Sequence, residues 1–339
     1  MTKPKRVLIT GITGMVGSHL ADFLLANTDW DIYGMCRWRS PLSNVEHLFN
    51  LVNKKERVFF LEADLLDESS LIKTLKDSNP DYIFHLAAQS FPTYSFRAPI
   101  STLDTNILGT CRLLEAVRFL SIDPIIHICS SSEVYGRVKL EDLPIREDLG
   151  FRPASPYSIS KAGPDLVAKF SYEAYDLKIL TTRMFTHTGP RRGDVFAESS
   201  FAKQIAMAEH GLIPPVIEVG NLDSLRTWAD VRDCVRAYYQ LVTQKPIFGE
   251  IYNIGGLHKA TVGEMLNTLI AFSTISKEIE IRQVQSRVRP LDADLQIPDL
   301  SKFKKHYDWN PIITFEQTMS DLLQYWRDRV QNHPQIAGR

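Results

Sequence analysis

The sequence predicts an α/β fold: a Rossmann-type doubly wound parallel sheet with a smaller mixed α/β C-terminal domain. Three observations predict it. Short apolar runs recur through the first half, continuous in Val, Ile, Leu and Phe rather than alternating, as strands covered on both faces require. Stretches with helical spacing separate them, giving repeated strand–helix–strand units. A glycine-rich turn, Gly11-Ile12-Thr13-Gly14-Met15-Val16-Gly17, follows the first run and opens a helix.

Taken in order, strands are expected at 6–10, 31–36, 57–61, 82–86, 125–129 and 178–182, and helices at 16–25, 69–75, 107–120 and 156–175. Ser155 suits an N-cap and Pro156 a first helical position, so the last of these helices has a well-specified start. The second half is more mixed. Thr261 with Glu264, and Thr314 with Gln317, have capping-box spacing. Short strands are expected at 216–219, 250–254 and 278–282, and the basic run 302–305 reads as a solvated helix face. Composition shifts near 184–193, where a strand gives way to a Gly/Pro/Arg-rich loop. A dinucleotide-binding domain is therefore expected over 1–183, with return segments near 225–254, and an interleaved second domain over 184–339.

Composition narrows the function classes. With 39 Lys+Arg against 40 Asp+Glu in 339 residues, the net charge is −1, which argues against a nucleic-acid or membrane-surface binder. No apolar run approaches membrane-spanning length, and the apolar stretch near the start is too short for a signal-peptide core. Cys36, Cys111, Cys129 and Cys234 show no CxxC pairing and read as buried free thiols of a cytoplasmic protein. The nine histidines have no metal-ligand spacing, so no metal is expected.

The glycines of the turn allow a tight bend and close approach to a pyrophosphate, with Thr13, Gly14, Met15 and Val16 at the helix start that would face it. Beyond the second strand stand Arg37, Arg39 and Ser40, where an acidic residue would bind the ribose of NAD. Guanidinium groups favour a 2′-phosphate, so NADP is expected, with NAD as the alternative. Asp64 ends the third strand, placed to accept from an adenine amino group. Leu86, Ala87 and Ala88 close the fourth with the small residues a passing cofactor needs.

Tyr157 and Lys161 lie one turn apart on a helix face. Lowering a phenol from ~10 to ~7 takes ~4 kcal/mol of phenolate stabilisation, and a nearby cation is a source of it. The fifth strand leads into Ser130-Ser131-Ser132-Glu133-Val134-Tyr135-Gly136, at the carboxyl edge where doubly wound sheets bind ligands.

With these motifs in chain order, the sequence resembles the extended short-chain dehydrogenases/reductases that act on nucleotide sugars, and most of all the GDP-mannose 4,6-dehydratases and their relatives on GDP-deoxyhexose and GDP-heptose. The resemblance covers essentially the whole chain. It rests on Ser130–Gly136, Tyr157–Lys161, the loop Thr186-His187-Thr188-Gly189-Pro190-Arg191-Arg192-Gly193, the segment Val219–Arg226 and the segment Arg289–Asp294. It implies a polarising hydroxyl at Ser131, a base at Tyr157, its activator at Lys161, and the carboxylate peculiar to dehydratases at Glu133. It implies further cofactor contacts at Gly11, Gly17, Leu65, His187 and Arg192. For the substrate it implies Ser90, Ser132, Thr186, Lys203, Val219 and Asp292, with Arg226 and Arg289 on the diphosphate. The paired-arginine loop implies cofactor binding across a subunit contact, hence a homodimer or homotetramer. One departure is Thr186, where the family usually has Asn, so the sugar or its orientation can differ from mannose. The expected partner is a nucleotide-diphosphate sugar, GDP-linked by preference. A 4-reductase or epimerase of the same fold would need Ser131, Tyr157 and Lys161 without Glu133. A non-catalytic NADP-binding regulatory scaffold would need none of the four.

Overall fold

The computed structural model describes residues 3–287 and 293–333. Its strands are β1 (Arg6–Thr10), β2 (Asp31–Cys36), β3 (Val58–Glu62), β4 (Tyr82–His85), β5 (Ile125–Ser131), β6 (Ile179–Met184), β7 (His187–Thr188), β8 (Val216–Val219), β9 (Leu225–Asp230), β10 (Ile251–Ile254), β11 (His258–Thr261), β12 (Glu280–Gln283) and β13 (Leu295–Gln296). Seven of them form one parallel sheet in the order β10-β6-β5-β4-β1-β2-β3. The order reverses between β1 and β4, and the crevice opened there is where such sheets take ligands.

Both faces of this sheet are covered. Leu20, Ala21 and Leu24 of the helix Met15–Asn27 pack on one side with Tyr238 and Leu241. Leu71, Leu113 and Ala168 pack on the other. Burial on two faces is why the strands read as unbroken apolar runs. The expected strands and helices are present, with shifts at their ends. β5 runs two residues further than the apolar run, because Ser130 and Ser131 still pair with Arg183 and Met184. The helix expected from 107 begins as an α-helix only at Gly109, after a wider turn over Asp104–Leu108 whose Asn106 is buried.

A second layer holds β11-β9-β13 with β7 on β9, and a separate β8–β12 pair. Helices Ala197–Glu209, Val262–Ala271 and Phe315–Asn332 cover it around Met265, Met319 and Trp326. The expected return to the large sheet begins later than 225: β9 pairs in this second layer, and the chain rejoins the first with the helix Val231–Thr243 and β10. The capping box of Thr261 and Glu264 forms in both directions. Thr314 accepts from the Gln317 amide, but the Gln317 side chain turns to Asp321 instead of closing the box.

Two further expectations change. The helix Ser301–His306 is not simply a solvated face: Phe303 is fully buried against Tyr252, and the Lys302 ammonium donates to the Ile251 carbonyl at 2.8 Å. Of the four free cysteines only Cys234 is buried, the other three being half-buried. Among the described residues, no helix is long and apolar enough to cross a membrane, and no cluster has the ligands for a metal.

Candidate active site

The glycine-rich turn joins β1 to the helix Met15–Asn27 at the switch point. Gly11 has φ +74° and lies so near β4 that a Cβ would sit 2.9 Å from the Ala87 Cα. A Cβ at Gly17 would come within 2.4 Å of the Gly11 carbonyl, so helix and turn touch backbone to backbone. Gly14 is the N-cap and supplies no side-chain acceptor, which leaves the first-turn N–H groups for an anion. The Thr10 hydroxyl accepts from the Leu86 and Ala87 amides, at 3.1 Å each, and pulls the end of β4 against this cradle. The Asn44 side chain donates to the Thr13 carbonyl at 3.1 Å. These residues fit a dinucleotide pyrophosphate.

Along the crevice, Arg37, Trp38, Arg39, Glu62, Asp64 and Asp67 line a groove of about 450 Å³. Ser40 fixes the turn that carries the two arginines, its hydroxyl accepting from the Arg37 amide at 3.0 Å. The Asp64 carboxylate accepts from the Leu66 amide at 3.0 Å, and Leu65 is buried beneath Gly109.

The reactive groups meet at the carboxyl ends of β5 and β6. Ser155 caps the helix Pro156–Tyr175 by accepting from the Ser158 amide at 3.0 Å, and the Ser95 hydroxyl accepts from the Tyr157 amide at 3.0 Å. The Tyr157 phenol lies within reach of the Ser131 hydroxyl. Burial pushes the phenol above its ordinary value; the Ser131 hydroxyl pulls it down, and the Glu133 charge pushes it up. Lys161 stands one turn further along the same helix. Its ammonium donates to the Cys129 carbonyl at 2.5 Å and is itself pulled down by burial. Ser131 also N-caps the short 3-10 helix Ser132–Tyr135, accepting from the Glu133 amide at 3.2 Å. The Glu133 carboxylate looks across to the second layer, 4.0 Å from the Arg226 guanidinium on β9.

Other expected site residues are held by contacts within the chain. Val219 packs its side chain into the second core, so it offers a ligand only backbone. Lys203 is buried and paired with Asp194 at 2.8 Å. Arg191 folds back within its own chain to Asp22 on the helix Met15–Asn27, at 2.7 Å. Arg192 pairs with Glu198 at 2.9 Å, and its charge reaches both Tyr157 and His187. Burial and that arginine hold His187 neutral, down at about 4. Thr186 lies at the junction of the layers, its carbonyl accepting from the Ala229 amide. Ser132 is buried beside Glu133, Ala88 is half-buried and Ser90 is exposed at the end of β4. Arg289 and Asp292 lie outside the described residues.

Polar residues inside apolar elements are what sequence reasoning passed over. Asn106 ties the Gln89 backbone to the Ser160 hydroxyl at 2.8 Å, and so braces the helix of Tyr157. A buried Arg183–Asp165 pair stands one turn beyond Lys161. Their signal was charge or amide in otherwise apolar runs.

A dinucleotide cradle at the switch point of a parallel sheet, with Ser, Tyr and Lys converging beside it, defines a short-chain dehydrogenase/reductase with an added second layer. The family model described as GDP-mannose 4,6 dehydratase matches residues 8–322, and the chain belongs to that family. It is 32% identical to the GDP-mannose 4,6-dehydratase of Yersinia enterocolitica, over 94% of this chain and 93% of that one. It is 31% identical to the GDP-6-deoxy-D-mannose reductase of Pseudomonas aeruginosa, over 96% and 99%. The structure of RMD from Pseudomonas aeruginosa complexed with NADPH is similar at a TM-score of 0.80 and 30% identity, over 96% of this chain and 100% of that one.

Proposed function

We propose that the protein is a nucleotide-sugar 4,6-dehydratase that converts a GDP-linked mannose-type hexose or heptose to its 4-keto-6-deoxy sugar, using bound NADP. The observation that carries this reading is the Glu133 carboxylate at the end of β5, two residues from Ser131 and 4.0 Å from the Arg226 guanidinium of the second layer. Oxidation and reduction alone do not need a carboxylate there; removal of water does.

NADP, held at the Gly11–Gly17 cradle, would supply a hydride acceptor for carbon 4 and a donor for carbon 6. Ser131 orients the 4-oxygen, and Tyr157 takes the 4-hydroxyl proton. The phenol must therefore ionise in the loaded site, against the burial that raises it here. The resulting ketone acidifies the carbon-5 hydrogen, which Glu133 removes. The 6-hydroxyl leaves as water with one proton, and carbon 5 regains a proton as carbon 6 receives the hydride. One water is lost and the cofactor is regenerated.

Arg226 is the diphosphate cation of this scheme, facing Glu133 from β9. Arg37 and Arg39 at the adenosine groove support NADP, as does the NADPH carried by a similar structure. Exposed Leu166 and Phe170 on the helix Pro156–Tyr175 support a homo-oligomer.

The near-equal similarity to a reductase favours a second reading, a GDP-4-keto-6-deoxy-sugar 4-reductase. One assay separates them. With GDP-mannose, a dehydratase forms product with no net change in NADPH absorbance, and Glu133→Gln forms reduced cofactor but stalls before water loss, at least ~100-fold slower in product. Stoichiometric NADPH consumption with a 4-keto-6-deoxy sugar, unaffected by Glu133→Gln, would establish the reductase instead.

A further inference from the structure

Tyr135 sits two residues beyond Glu133 on the same short helix and is fully buried. Its hydroxyl donates to the Asn253 Oδ1 on β10 at 2.7 Å and accepts from Arg183 Nη1 at 3.0 Å. Arg183, on β6, makes a two-pronged bond to Asp165, Nε to Oδ2 at 2.9 Å and Nη2 to Oδ1 at 3.1 Å. Asp165 lies one turn beyond Lys161 on the helix of Tyr157, and its charge acts on Lys161. Arg183 and Asp165 keep side-chain exposures of only 5% and 2%. A fully desolvated ion pair is a weak source of stability, since removing both charges from water costs about what their attraction returns. It does fix geometry, because a guanidinium fork meets a carboxylate in one plane.

Resting on the dehydratase reading above, we infer that Tyr135, Arg183 and Asp165 form a mount that sets Glu133 against the Tyr157–Lys161 helix. All three are positioning residues; none reaches the substrate crevice. The distance matters because the two bases serve adjacent atoms of one sugar: Tyr157 takes the proton on the 4-oxygen and Glu133 the one on carbon 5. A base displaced by ~1 Å loses ~100-fold in rate. The backbone around the short helix is held as well, the Val134 carbonyl accepting from the Arg152 amide at 3.0 Å. The Tyr135 hydroxyl thus links the carboxylate's helix to the phenol's helix through Arg183.

The test is a split between two steps of one turnover. Tyr135→Phe keeps the buried ring and removes the hydroxyl's bonds to Arg183 and Asn253. With GDP-mannose in D2O, the variant is expected to form reduced cofactor at a rate within about 2-fold of the parent, with KM unchanged. Deuterium entry at carbon 5 and product release should fall ~10-fold or more, so that reduced cofactor accumulates. Arg183→Lys, which keeps the charge and loses the fork, should show the same split. Equal slowing of both steps, or unchanged steps with only a lower unfolding midpoint, would overturn the mount. If the parent enzyme neither dehydrates GDP-mannose nor exchanges carbon 5, the dehydratase reading itself falls and takes this one with it.

Discussion

The two sides of the candidate site are built differently. The phenol side lies within the large sheet: Tyr157, Lys161 and Ser131 are buried, and Ser95, Cys129, Ser155 and Asn106 fix their helix and strand ends through hydrogen bonds. The carboxylate side spans two layers. Glu133 comes from the end of β5, Arg226 from β9, and 4.0 Å separates them. Hydride chemistry needs only the first, rigid side. Loss of water needs a further acid–base group, and Glu133 stands where the sheet meets the second layer. An enzyme that adds elimination to an oxidoreductase fold therefore depends on how its layers dock.

The largest expected effect lies on the phenol side. Tyr157→Phe should cut turnover of GDP-mannose at least ~1,000-fold by removing the proton acceptor, with no reduced cofactor in a single turnover. Residual turnover near the parent level would mean that the two sides do not divide the chemistry as described. A smaller effect is expected where the layers meet. Arg226→Met should raise KM for GDP-mannose about 10-fold, or ~1.4 kcal/mol of lost binding, and lower kcat less. An unchanged KM would detach Arg226 from the diphosphate. Titration calorimetry with GDP is the direct measurement.

A third effect, on stability and not on turnover, concerns what supports the phenol side. His127, buried in β5, hydrogen-bonds Thr182 at 2.8 Å, and burial holds its imidazole neutral, down at about 3. The unfolded chain protonates near ~6.5 and so binds more protons on acidification. Stability from this group is full above that value and is lost as pH falls through it towards 3. The loss is about 2 kcal/mol between pH 7 and 5. In His127→Phe, urea unfolding should show a pH dependence flatter by that amount over this range. An unchanged slope would mean that the imidazole is already charged in the folded protein.

Much of the fold was legible because its signals are local. A strand covered on two faces has to be apolar throughout, and a helix start needs an acceptor such as Ser155 or Thr261. The site was legible where chain order matched spatial order: Tyr157 and Lys161 share a helix, and Ser131 and Glu133 share the end of β5. Where the chain leaves and returns, reasoning from spacing failed. β9 was expected near the large sheet and pairs in the second layer, and Val219 was expected at the substrate and lies in a core. Arg183 and Asp165 looked like ordinary polar interruptions, 18 positions apart, until β6 and the helix Pro156–Tyr175 brought them into one bond.

By itself the sequence determined the alternation of elements, the cradle at Gly11–Gly17 and the identity of the reactive groups. These follow from side-chain periodicity and from what glycine, proline and hydroxyl residues permit the adjacent backbone to do. Only the tertiary structure decided which cation faces Glu133, that Lys161 is held by the Cys129 carbonyl, and that Tyr135 reaches Arg183. Those contacts join residues 32 to 93 positions apart. Their energies depend on burial and on distances of a few ångströms, which no local pattern encodes.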